Sequence, residues 1–131
     1  MWVGGGMKLS PPRAELAAIV AAATDESVGV IDHLPDSVAP PCVLIAWADP
    51  WVKLSTLCAY EAAMEIVCVA QRIEPGGKLE TLEEMVSSIL PALKAAPYFN
   101  FVDVTSPYPL QIGGVDYLAA SINLTYDMED S

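Results

Sequence analysis

A chain of 131 residues, 53% hydrophobic and with a mean hydropathy of +0.40, has the length of one domain and enough apolar content for a core without disulfides or metal. Seventeen acidic residues face six basic ones, for a net charge of −11, and no Lys or Arg occurs between Arg13 and Lys53 or after Lys94. Such a composition excludes disorder, and it excludes nucleic-acid binding through clustered cations.

The apolar fraction is high for a small monomer, so part of the surface is expected to be buried against other chains. The longest uncharged apolar runs, Leu16 to Ala23 and Pro40 to Ala48, fall short of the roughly 18–20 residues that span a bilayer. The opening MWVGGGMKLS has no basic start followed by an apolar stretch, so no secretory signal is read and synthesis in the cytoplasm is expected. Cys42, Cys58 and Cys68 are an odd set without C-x-x-C spacing and read as buried free thiols.

In chain order, residues 1–10 read as a flexible lead containing Gly4-Gly5-Gly6. Ser10 as N-cap and Pro11 at the first helical position start a helix whose apolar face is Leu16, Ile19, Val20 and Ala23, ending near Thr24-Asp25-Glu26. Val28 to Asp32 is a short strand, broken by His33-Leu34-Pro35-Asp36. Cys42 to Trp47 is a continuous apolar strand, with Asp49-Pro50 expected to stop it in a turn. Leu57 to Ile73 is ambiguous: its alanines, glutamates and methionine favour helix, whereas alternation favours a long strand from about Tyr60 to Arg72, which is the reading taken. One face holds Tyr60, Ala62, Met64, Ile66, Cys68 and Ala70, and the other holds Glu61, Glu65 and Gln71 with Val67 and Val69.

Pro75-Gly76-Gly77 is a turn. Thr81 to Glu84 matches a capping box that opens a helix to about Ala95, with Leu82, Met85, Val86, Ile89, Leu90 and Leu93 as its stripe and Pro91 as a possible kink. Tyr98 to Thr105 is a strand, and Ser106-Pro107-Tyr108-Pro109 is read as a rigid connector. Gly113-Gly114 leads into a last strand, Val115 to Tyr126, with Leu118, Ala120, Ile122, Leu124 and Tyr126 inward and Tyr117, Ser121, Asn123 and Thr125 outward. The order α-β-β-β-α-β-β predicts one α+β domain over residues 11–127, a mostly antiparallel sheet packed with helices. Residues 128–131 form an acidic tail.

No catalytic, cofactor or metal constellation stands out. His33, Asp36 and Cys42 are near in sequence, but Cys42 opens an apolar strand, the wrong setting for a thiolate. Gly76-Gly77-Lys78 lacks the upstream glycine of a phosphate loop and has Leu79 where a magnesium ligand belongs. Glu61 and Glu65 share one face, which suits a solvated polar surface better than an acid/base pair. Trp47 reads as core, whereas Trp51, on the expected Asp49-Pro50 turn beside Lys53, reads either as core or as a protein contact, since Trp is enriched among interface anchors.

The stretches VGVIDHLPDSVAPPCVLIAWADPWV, EIVCVAQRI, LETLEEMVSSILPAL and PLQIGGVDYLAASINLTYDM, in that order after an amphipathic helix, resemble the tail terminator proteins of long-tailed bacteriophages, especially those of actinobacterial hosts. The resemblance runs from about Pro11 to Asp127, and none of its motifs is catalytic. It implies a small α+β subunit in a hexameric ring on the finished tail tube. There the ring ends tube polymerisation and joins the tail to the head connector or stopper, while DNA passes through its channel without specific binding. It implies a virion structural protein made in the host cytoplasm, with no enzyme activity, no cofactor and no membrane. On that reading Asp49, Pro50, Trp51 and Lys53 contact a neighbouring protein, and Glu61, Glu65 and Asp116 are candidates to line the channel, where carboxylates repel the DNA backbone. Another neck component, a stopper or tail-completion protein, is the nearest alternative. A small-molecule-binding or enzymatic domain using Glu61, Glu65 and Tyr117 is the alternative of another class.

Overall fold

A computed structural model describes residues 10–24, 28–31, 38–56, 59–73, 79–96 and 99–129. Two helices, α1 (Ser10–Ala23) and α2 (Glu80–Ala95), accompany six strands: β1 (Gly29–Ile31), β2 (Cys42–Thr56), β3 (Ala59–Arg72), β4 (Phe99–Val104), β5 (Tyr108–Ile112) and β6 (Val115–Glu129). The sheet order is β1-β2-β3-β6-β4, with β5 also on β6; β1 runs parallel to β2 and every other pair is antiparallel. The architecture is the expected α+β one, with one strand more than the sequence reading placed.

That strand is β5. Only residues 105–107 are irregular, and Tyr108 resumes the ladder opposite Ala119. β4 and β5 therefore lie end to end along one edge of β6. Among the described residues β5 has no neighbour besides β6, and an edge strand of this kind tolerates Pro109. At the hairpin, Ile112 pairs with Val115 across Gly113 (φ 60°) and Gly114 (φ 80°), two positive φ values that match the right-handed twist of the flanking strands.

β2 corrects a second expectation. The Asp49-Pro50 pair does not end the strand in a turn; β2 continues to Thr56. A bulge absorbs the proline: Trp47 pairs with Met64 and Val52 with Ala62, so four residues, 48–51, stand against the single Ala63. Among the described residues no strand lies outside β2 beyond Leu44, so Pro50 breaks no ladder bond on that side.

Helix α2 carries the predicted stripe, with Leu82, Met85, Ile89 and Leu93 buried, each contributing about 1.5–3 kcal/mol. It starts two residues earlier than the capping box requires. Leu79 is the N-cap and no side chain caps it, because Thr81 already lies within the first turn. Glu80 and Glu83 instead place negative charge at the positive end of the helix dipole. Pro91 sits inside the helix, as the sequence reading placed it. In α1, Leu16 and Val20 are buried, and Thr24 closes the helix by donating both its N–H (3.1 Å) and its hydroxyl (2.9 Å) to the Val20 carbonyl.

The domain limits move slightly. Ser10 belongs to α1, and Met128 and Glu129, assigned by sequence to the tail, pair with Tyr60 and Ala59. The His33–Asp36 segment, Cys58 and Gly76-Gly77-Lys78 lie outside the described residues.

Both sheet faces hold a core. The helix-covered face packs Val43, Ile45, Met64, Ile66, Cys68, Ala120, Ile122 and Leu124 against the two helices. The opposite face buries Cys42, Leu44, Val67, Val69, Tyr117 and Ala119. Tyr117 and Ser121, expected to face outward, do point to this second face but are buried. Val38, ahead of β2, and Tyr108, Leu110 and Ile112 of β5 pack against its apolar cluster, and these are contacts no local pattern reveals.

Gly114→Ala is expected to destabilise the domain by roughly 1–2 kcal/mol in denaturant unfolding. A Cβ there meets nothing within 4 Å, so the loss would come from the positive φ alone. Burial, with a smaller contribution from Cys42, pushes the Cys68 thiol from 9.0 to about 12, and burial raises Cys42 as well. The native state therefore resists ionisation that the unfolded chain undergoes. The thiol contribution to stability is complete below about pH 9 and is lost as pH rises toward 12. Unfolding free energy measured across that window should fall less steeply in Cys68→Ala than in the natural chain.

Candidate functional site

Alternation along β3 and β6 sends Glu61, Glu65, Asn123, Thr125 and Asp127 to the face without helices. This face is divided. Toward the Gly113-Gly114 hairpin it is the apolar cluster around Tyr117. Toward the other end it is polar, and most of its charge is negative.

The polar half is built by register. Lys53, Glu61 and Asp127 are consecutive partners across β2, β3 and β6. Glu65, Asn123 and Asp103 are consecutive partners across β3, β6 and β4. Two asparagines fix the outer carboxylates: the Asn123 Nδ2 amide donates to Asp103 Oδ1 at 2.7 Å, and the Asn100 Nδ2 amide donates to Asp127 Oδ2 at 2.9 Å. Glu61 and Glu65 are half-buried, whereas Asp103 and Asp127 are exposed.

Where the halves meet, the hydroxyls of Tyr108 and Ser121 lie 2.6 Å apart. The Ser121 N–H donates to Thr105 Oγ1 at 3.0 Å, and the Thr105 N–H donates to the Ser121 carbonyl at 2.8 Å, which ties the irregular 105–107 segment back to β6. Burial raises the Tyr108 hydroxyl above its usual value. The Ser121 hydrogen bond opposes that rise, and the nearby Glu65 carboxylate adds to it. Tyr108 therefore stays a neutral phenol at physiological pH, a structural partner of Ser121 rather than a base.

The predicted site residues separate into three places. Glu61 and Glu65 are together on the polar half. Asp116 is exposed near the hairpin, opposite Gln111; it alternates with Tyr117, and so falls on the helix side of the sheet, away from both glutamates. Asp49, Pro50 and Trp51 are in the β2 bulge instead of a turn, and Lys53 follows in register with Glu61. Tyr117 shares the helix-free face with Glu61 and Glu65 but lies in its apolar half, away from them. Tyr117 pairs with Arg72 at the far end of β3, is 4% exposed, and donates to the Val38 carbonyl at 3.5 Å.

Sequence reasoning missed Asp103 and Asp127. Counting back from the Ile112↔Val115 pair without a bulge sets Val104 opposite Asn123, but the observed partner is Asp103. The shift arises in residues 105–107, a segment whose Ser106-Pro107 was the available signal.

Among the described residues no group of three or more His, Cys, Asp or Glu side chains is placed to hold a metal ion, and no helix is long and apolar enough to cross a membrane. A mostly apolar groove of about 790 Å³ lies between the end of α2 and β4, apart from the polar half of the sheet. No protein-family model and no curated protein matches the chain.

Tyr108→Phe should cost roughly 1–3 kcal/mol, because it leaves the buried Ser121 hydroxyl without its partner. Adding Ser121→Ala should recover part of that loss in a double-mutant cycle of denaturant unfolding.

Proposed function

We propose that the chain is a virion structural subunit, the tail terminator of a long-tailed bacteriophage. It forms a hexameric ring that ends tail-tube polymerisation, joins the tail to the head connector, and lets DNA pass through its channel. The reading carries no enzyme activity and no cofactor, and it places the subunit in the virion neck after assembly in the host cytoplasm.

The observation that carries it is the polar half of the helix-free face. Glu61, Glu65, Asp103 and Asp127 share that face, and Lys53 is the basic residue in register with them. A surface of this sign repels a phosphate backbone and offers no counterion-releasing cluster to hold it, as a conduit for moving DNA requires. The asparagine bonds to Asp103 and Asp127 hold those two carboxylates at fixed points of a rigid sheet. The sequence resemblance supplies the place in the particle, and the high apolar content supplies the motive for assembly.

Deleting the gene from its phage should give tails of uncontrolled length by electron microscopy. Tails of normal length that fail to join heads would contradict the terminator reading and favour a stopper.

A further inference from the structure

We draw no further inference here: the strongest candidate, the mostly apolar groove between the end of α2 and β4 beside the exposed Phe101 and Val102, carries none, because nothing in the structure shows what covers it.

Discussion

The ladder between β3 and β6 runs from Ala59↔Glu129 to Arg72↔Tyr117 and lies in the middle of the sheet, with β2 on one flank and β4 and β5 on the other. Every side chain that matters on either face takes its direction from this pairing. Even-numbered residues such as Met64, Ile66, Ile122 and Leu124 go to the helices, and odd-numbered ones such as Glu61, Glu65, Asn123 and Asp127 go to the other side. A slip of one residue would send carboxylates into the helix-side core and methyl groups to the surface, at the cost of burying unpaired charge. The hydrophobic set on one face thus also fixes where the acids stand on the other.

The second face has an apolar half and a polar half because the ladder is longer than the elements that cover it. Near the hairpin, Val38 and the β5 side chains pack against Tyr117, Val67 and Val69, giving a second apolar core. Farther along, the face is left to Glu61, Glu65, Asp103 and Asp127 and the asparagines that bond two of them. Packing stiffens one end and charge furnishes the other. The proposed conduit surface is in this sense a product of topology, since it gathers residues from β3, β4 and β6 that are far apart in the chain.

Much of this was legible where a period settles the matter. Alternation across Tyr60 to Arg72 identified β3 and put Glu61 and Glu65 on one face, and the 3.6-residue stripe of Leu82, Met85, Ile89 and Leu93 identified α2. What escaped depends on neighbours distant in sequence. A proline stops a strand only where its missing N–H would have had a partner, and nothing local shows that β2 beyond Leu44 and β5 lie on outer edges. Tyr117 and Ser121 were assigned to the outward face correctly, yet that face is itself packed there. Asp103 joined the site through the register shift at residues 105–107, which a count of residues cannot foresee, and Asp127 because β6 keeps its alternation past Tyr126.

The central claim is that this face, at its acidic end, looks onto DNA inside a ring. A reconstruction of the particle neck at side-chain detail tests it most directly. The account predicts six copies capping the tail tube, strands lining the lumen, and Glu61 and Glu65 directed at the channel axis with α1 and α2 on the outside. Finding this chain elsewhere in the particle, or with its helices lining the lumen and both glutamates turned away, would contradict it.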